Sequence, residues 1–237
     1  MMLPVGILAG GVAQRLRPIT ETIPKALVEV AGRPFAEHQL DWLRHQGVDR
    51  VVFLVGYRGE MIRETLGDGS RWGLTIHYLF DGPALLGTGG AIKRGLPALG
   101  PAFFVMYGDS YLDCSLADIV RVFKASKADG LMTVLRNDNQ WDVSNVLFDE
   151  GRIQKYDKQD KTPAMRHIDY GIGVLSAAAL NGYPDDAPFD LARVYQDLLA
   201  RQALAAYEVT SRFYEIGTPK GLAETRAHLA YRTRAQS

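Results

Sequence analysis

Five consecutive apolar residues, Val51-Val52-Phe53-Leu54-Val55, follow the charged pair Asp49-Arg50. A strand sends alternate side chains to opposite faces, so a run that is apolar at every position needs cover on both faces. Val5–Leu8 and Ala102–Tyr107 read the same way, and Leu74–Phe80 alternates like a strand. Helical spacing fills the intervals. Pro34–Gln46 places Phe35, Leu40 and Leu43 on one face and is closed by Gly47; Arg58–Leu66 and Gly89–Leu96 are further helices. Ser115 with Asp118 three residues on resembles a capping box, followed by the stripe Leu116, Ile119, Val120 and Phe123. Buried strands alternating with amphipathic helices predict an α/β fold: a Rossmann-like, mostly parallel sheet with helices on both faces and right-handed crossovers. Ligands bind such sheets outside the carboxyl ends of the strands. The loops after Leu8, Phe80 and Tyr107 are therefore expected to converge on one site.

The second half has a different rhythm. Gly130–Leu135, Val143–Phe148, Arg152–Tyr156 and Ile168–Leu175 read as strands with little helix between them, a β-rich subdomain laid against the first half. Leu191–Leu199 returns to helical spacing, Arg212–Ile216 reads as a late strand, and Thr218-Pro219 opens a C-terminal helix with proline at its first position. A chain of 237 residues fits one large domain. Within it we expect residues 1–129 mainly to bind nucleotide, 130–218 mainly to bind a sugar phosphate, and 219–237 to form the terminal helix. A formal net charge of zero argues against a nucleic-acid partner but leaves room for a small anion held by a few local cations. A single cysteine, Cys114, rules out an intramolecular disulfide and suits a reducing compartment. The apolar run from Leu3 to Ala9 is too short for a signal peptide or a membrane span, so a cytoplasmic protein without a membrane partner is expected.

The strongest chemical signal is Leu8-Ala9-Gly10-Gly11-Val12-Ala13-Gln14-Arg15-Leu16-Arg17-Pro18, followed by Pro24-Lys25-Ala26-Leu27. Two glycines after a buried strand free the backbone to turn several N–H groups onto one anion. Arg15 can fork onto phosphate oxygens and Lys25 can add a point charge. The alternative is a plain tight turn with both cations solvated. No Gly-Lys-Ser/Thr follows, which excludes a P-loop, and the third glycine of a dinucleotide fingerprint is missing. Further along, Gly87-Thr88-Gly89-Gly90-Ala91 opens a helix, where glycines admit a flat ligand and the helix N-terminus favours anions; a packing turn is the competing reading. Gly108-Asp109 ends a buried strand, and its carboxylate is a candidate Mg²⁺ ligand or a turn cap.

The run from Leu8 to Pro34 resembles the signature of the sugar-phosphate nucleotidylyltransferases, Leu-Ala-Gly-Gly-x-Gly-Thr-Arg-Leu-x-Pro and then Pro-Lys-Pro/Ala-Leu. The resemblance extends in order along nearly the whole chain. It implies a nucleotide-diphospho-sugar transferase-like fold and the transfer of a nucleoside monophosphate from a nucleoside triphosphate to a sugar 1-phosphate. It assigns Leu8, Ala9, Gly10, Gly11, Arg15 and Lys25 to the triphosphate, and Gly87, Thr88 and Gly89 to the nucleobase. The Thr-Gly-Gly form is similar to that of mannose or heptose 1-phosphate guanylyltransferases, and also of the muramate 1-phosphate uridylyltransferase. No glutamine occurs between Arg71 and Gly87, where users of UTP or dTTP often carry one, which favours GTP.

By the same resemblance Asp109 holds Mg²⁺ and, with Arg15 and Lys25, forms the catalytic set. Glu215, in Glu215-Ile216-Gly217-Thr218-Pro219, stands where the family usually has a second metal-binding aspartate. Lys158 would anchor the sugar phosphate, with Lys155 and Lys161 as competitors. Asp169 and Gly171, in Ile168-Asp169-Tyr170-Gly171, would face the sugar. Ala13, Gln14, Glu215 and Asp169 depart from the family pattern. Two other readings stay open: transfer to a non-sugar phosphate, and a non-catalytic nucleotide-sugar sensor on the same fold. The C-terminal helix has two candidate partners, its own subunit or a neighbour in a homodimer. The five histidines show no metal-ligand spacing, and no Gly-x-Ser-x-Gly elbow is present.

Overall fold

The computed structural model describes residues 2–236; Ser237, the last residue of the expected terminal helix, lies outside them. The strands are β1 (Val5–Ala9), β2 (Glu29–Val30), β3 (Arg33–Pro34), β4 (Arg50–Val55), β5 (Thr75–Phe80), β6 (Ala102–Tyr107) and β7 (Ser110–Tyr111) in the first half. In the second half they are β8 (Gly130–Arg136), β9 (Val146–Asp149), β10 (Arg152–Tyr156), β11 (His167–Ser176), β12 (Leu204–Val209) and β13 (Tyr214–Glu215). The helices are α1 (Phe35–His45), α2 (Gly59–Leu66), α3 (Gly87–Leu99), α4 (Leu116–Ser126), α5 (Leu191–Ala200) and α6 (Pro219–Gln236).

Nine strands form one sheet that runs β10-β9-β11-β6-β1-β4-β5, with β8 on β11 and β12 on β8. β6, β1, β4 and β5 are parallel, with Val5 opposite both Val51 and Phe104. The side chains of β4 alternate residue by residue: Val51, Phe53 and Val55 join one hydrophobic cluster, while Val52 and Leu54 join the other. The first cluster takes the apolar faces of α1, α2 and α4, and the second those of α3 and α5. Each such fully buried side chain contributes about 1.5–3 kcal/mol, so the strand is held from both sides. Among the described residues no helix is long and apolar enough to cross a membrane.

Some expectations shift: α3, expected over Gly89–Leu96, runs two residues earlier and three later. The strand expected from Val143 begins at Val146, because Ser144 is drawn into the preceding loop: Asn139 Oδ1 accepts from Ser144 N at 2.8 Å, and Asn137 Nδ2 donates to Ser144 Oγ at 3.0 Å. The late strand shrinks to Tyr214–Glu215, paired with Ser110–Tyr111 in a separate two-stranded ribbon. At α4, Ser115 Oγ accepts from Asp118 N at 3.2 Å, but the Asp118 carboxylate pairs with Arg121 instead of completing the box.

β11 is the hinge between the two halves of the sheet. Its C-terminal part pairs with β6, and it pairs antiparallel with β8 in two registers separated by a shift between Asp169 and Gly173. Such a bulge bends a strand and re-aims its side chains. Gly171, at φ +100° inside the shift, adopts a backbone that L side chains disfavour.

Candidate functional site

The loops after Leu8, Phe80 and Tyr107 do converge. A cavity of about 270 Å³ at the carboxyl ends of β1, β5 and β6 is lined by Leu8, Ala9, Gly10, Gly11, Lys25, Gly87, Thr88 and Asp109 of the expected set, with Ala13, Leu54, Asp81, Leu85, Ala91 and Tyr107 beside them. Gly10 fits tightly, since a β-carbon there would lie 3.2 Å from Gly56 N; a β-carbon on Gly11 would meet nothing within 4 Å. Ala13 sits at φ 49°, ψ 47°, the left-handed conformation that glycine adopts freely and alanine only at a cost of about 1–2 kcal/mol. That explains the glycine of the family pattern. Its carbonyl is pinned by Thr20 Oγ1 at 2.8 Å.

Lys25 begins a single helical turn after Pro24 and reaches across the chain to Asp109, Nζ to Oδ2 at 2.9 Å. Asp109 is placed by the end of β6: Gly108 N donates to the Leu8 carbonyl at 3.0 Å, and Ile216 N donates to the Asp109 carbonyl at 2.9 Å. Gly108 has no room for a side chain, since a β-carbon would lie 2.4 Å from Leu8 O.

Gly89 sits apart from Gly87 and Thr88. It does not line the cavity; a β-carbon there would fall 2.3 Å from the Phe189 ring, so this glycine serves the packing of α3 on the segment before α5. The N-terminus of α3 is also less available to anions than expected, because the Gly89 and Gly90 N–H groups both donate to the Phe189 carbonyl. Thr88 lines the cavity while its Oγ1 donates to Asp190 and accepts from Leu191 N.

A second cavity, about 410 Å³, opens on the other side of Tyr107 and Asp109. Arg15, Lys158, Lys161, Asp169, Gly171 and Glu215 line it, together with Ser110, Trp141, Asn145 and Thr218. Arg15 thus lies on this side, exposed and without an ion pair or hydrogen bond among the described residues. Lys158 is here, as is Lys161, whereas Lys155 is paired with Asp160 at 2.5 Å.

Tyr107 ties the wall between the cavities together. Its hydroxyl donates to Asp169 Oδ2 at 3.0 Å and accepts from Lys158 Nζ at 3.1 Å. Burial first, and then the Asp169 charge, push the phenol far above its ordinary range, so it remains a donor. Asp169 also accepts from Tyr156 at 3.4 Å and from Gly171 N at 3.1 Å. The carboxylate expected to face sugar hydroxyls is therefore already engaged by three protein donors, and its presentation rests on the β11 bulge. Tyr107 and Asp81 did not stand out in the sequence, although each is the residue that begins a loop or ends a strand at the carboxyl edge of the sheet.

The carboxylates fit a hard cation in their chemistry. A β-carbon on Gly217 would lie 2.6 Å from Glu215 Oε2, 3.2 Å from Asp109 Oδ2 and 3.3 Å from Arg15 Nη2, so these groups crowd one point that glycine leaves open. Mg²⁺ typically takes one or two carboxylates and completes its shell with phosphates and water. Glu215 is also committed to its own turn: Oε2 accepts from Gly217 N, and Oε1 accepts from Thr218 Oγ1 at 2.7 Å. No cluster of three or more His, Cys, Asp or Glu side chains that could hold a metal occurs among the described residues.

A sheet whose parallel core carries a glycine loop, with a lysine–aspartate pair and two adjoining cavities at its carboxyl edge, defines a nucleotide-handling α/β protein. The nucleotidyl transferase family model matches residues 5–143, and the chain belongs to that family. It is 31% identical over 229 residues to the low-salt glycan biosynthesis nucleotidyltransferase of Haloferax volcanii, covering 92% of this chain and 63% of that one. It is 27% identical over 221 residues to a mannose-1-phosphate guanyltransferase of Yarrowia lipolytica, covering 90% and 60%. The chain thus spans about three-fifths of the length of these curated relatives. Other relatives are named as uridylyl- and thymidylyltransferases. In fold it matches a Bacillus anthracis crystal structure, assigned as a glucose-1-phosphate thymidylyltransferase, with TM-score 0.86 at 21% identity over 97% of this chain and 95% of the other.

Proposed function

We propose that this chain transfers a nucleoside monophosphate from a nucleoside triphosphate to a sugar 1-phosphate and releases pyrophosphate. The observation that carries this reading is the pair of cavities meeting at one wall, with Lys25–Asp109 at the junction. The triphosphate occupies the first cavity against Gly10 and Gly11, and the sugar phosphate the second, near Lys158. An oxygen of the sugar phosphate attacks the α-phosphorus, a new P–O bond forms, and the bond to the bridging oxygen breaks with its electron pair leaving on pyrophosphate. Both reactants are anions and the nucleophile is already ionised, so the task is positioning and charge compensation, without a general base.

Lys25 neutralises charge at the α-phosphate, and Arg15 reaches the phosphates from the second cavity. Asp109, with Glu215 beside it, would hold Mg²⁺, which when bound neutralises phosphate charge. GTP is the favoured donor: no glutamine occupies the segment between Arg71 and Gly87, and Thr88-Gly89-Gly90 resembles the form of the guanylyltransferases, a form that the muramate 1-phosphate uridylyltransferase shares. On this reading the division at residue 129 separates a mainly nucleotide-binding part from a mainly sugar-binding one, in a cytoplasmic protein. The test is pyrophosphate release with Mg²⁺ across a grid of five nucleoside triphosphates and mannose, heptose, glucose and muramate 1-phosphates. Turnover in one combination supports the reading; a blank grid with folded, nucleotide-binding protein overturns it. Lys25→Ala should fold normally and lose at least 100-fold in turnover, on the order of the about 2.7–4 kcal/mol that one charge-stabilising group supplies.

A further inference from the structure

Asp81 is the first residue beyond β5 and is buried, at 6% exposure, inside the first cavity. Its surroundings are apolar on several sides: Leu54, Leu85 and Ala91 line the same space. Burial raises its pKa above the ordinary carboxylate value, opposed by the Leu86 N–H and by the charge of Arg94. The side chain is held in place. Leu86 N donates to Oδ2 at 3.2 Å, and Arg94 clamps the backbone by donating to the Phe80 and Asp81 carbonyls while pairing with Asp186. Gly10 and Gly56 leave the carboxylate its room, since β-carbons on them would lie 3.3 and 3.1 Å from Oδ2. Among the described residues no donor reaches Oδ1. An ionised carboxylate has acceptor sites only, about four of them, and here one is filled.

We propose that Asp81 reads the nucleobase and selects guanine. This deepens the reading above and rests on it for taking the first cavity as the nucleotide's. The chemistry discriminates among bases. Guanine offers two adjacent donors, N1–H and the 2-amino group, which match the two oxygens of a carboxylate. Uracil and thymine offer one N–H flanked by two carbonyl oxygens that a carboxylate repels. Adenine and cytosine set a ring acceptor beside their amino group. Two charge-assisted hydrogen bonds to guanine favour the ionised form, and they offset the burial that opposes it. Asparagine at this position would turn the edge into a donor–acceptor pair and match uracil or thymine instead.

The test measures equilibrium binding by calorimetry, with no sugar phosphate present, of GTP, ITP, UTP and dTTP to the wild-type protein and to Asp81→Asn. ITP lacks only the 2-amino group. The wild type should bind ITP roughly 10- to 100-fold more weakly than GTP, the loss expected for one hydrogen bond to a charged group, and UTP and dTTP more weakly still. Asp81→Asn should lose a similar factor for GTP and reverse the GTP-to-UTP preference. Equal affinity of the wild type for GTP and ITP overturns the assignment, and so does an unchanged GTP-to-UTP ratio in the variant. The ITP comparison needs no mutant, so a variant that fails to fold does not rescue the idea. Guanine-selective binding with no turnover on any sugar phosphate would support the role of Asp81 while removing the transferase reading.

Discussion

Tyr107→Phe isolates one hydroxyl at the wall between the cavities. That hydroxyl is one of three donors to Asp169, at 3.0 Å, and is the acceptor for Lys158, at 3.1 Å. A hydrogen bond to a charged group contributes about 1.5–3 kcal/mol. Tyr156 and Gly171 N still reach the carboxylate, so it does not become an unpaired buried charge, and the lower part of that range applies. Lys158 is exposed, and its own bond adds little to stability. The expected loss is about 1.5–2 kcal/mol, which for a chain of this length lowers Tm by roughly 3–8 °C. The functional effect should fall on a different quantity. On the reaction proposed above, Lys158 freed from Tyr107 must be ordered by the sugar phosphate, whose KM should rise roughly 3- to 10-fold, within the about 2 kcal/mol of rotamer entropy such a side chain carries. Turnover should change less. Urea denaturation and steady-state kinetics on the same preparation read both effects. A stability loss below about 0.5 kcal/mol together with an unchanged KM would refute the idea that this hydroxyl organises the site.

Gly108→Ala and Gly11→Ala should behave oppositely. At Gly108 the added carbon meets the Leu8 carbonyl and can be relieved only by parting β1 from β6, so we expect about 1–3 kcal/mol of destabilisation, typical of overpacking, and weakened nucleotide binding. At Gly11 the space is open, so thermal stability should be unaffected; thermal scans with and without nucleotide check both. His38 supplies a pH window. It is buried, its Nε2 faces the Val30 carbonyl at 2.8 Å and its Nδ1 faces Arg33 at 3.1 Å; Asp41 and Glu37 also act on it, and burial lowers its pKa below 6.5. The unfolded chain therefore takes up the proton first. The stability this histidine contributes is present above pH 6.5 and is lost as pH falls toward its folded value. His38→Gln should flatten the decline in urea midpoint on that acid side, and an unchanged slope would count against it.

What was legible in the chain was what depends on neighbours in sequence. The all-apolar Val51–Val55 run required two covered faces, and the two clusters that divide it supply them. Gly10, Gly11, Lys25, Thr88 and Asp109 could be picked out and do meet. β12 was not legible: Leu204-Ala205-Ala206-Tyr207-Glu208-Val209 carries two alanines and no clean alternation. It is a strand because β8 offers it a parallel edge, from Gly130 to Leu135. Gly89 looked like part of the cavity because nothing local reveals that Phe189, a hundred positions on, packs against it. Asp169 looked free for the same reason, since its tyrosine partners come from β6 and β10 and meet it only across the bulge. Ala13 was legible as a departure from the family pattern, and its left-handed backbone shows what the departure costs.

The two cavities share Tyr107 and Asp109 as a common wall. A ligand long enough to reach past that wall is bivalent: once one end is seated, the other finds its cavity at an effective concentration of about millimolar or higher. Separate reactants gain nothing from this, but on the reaction proposed here the joined nucleotide-sugar gains it in full. The same wall that aligns two anions for transfer therefore makes their product the better tenant, and departure of that product, more than the chemistry, is the step expected to limit turnover.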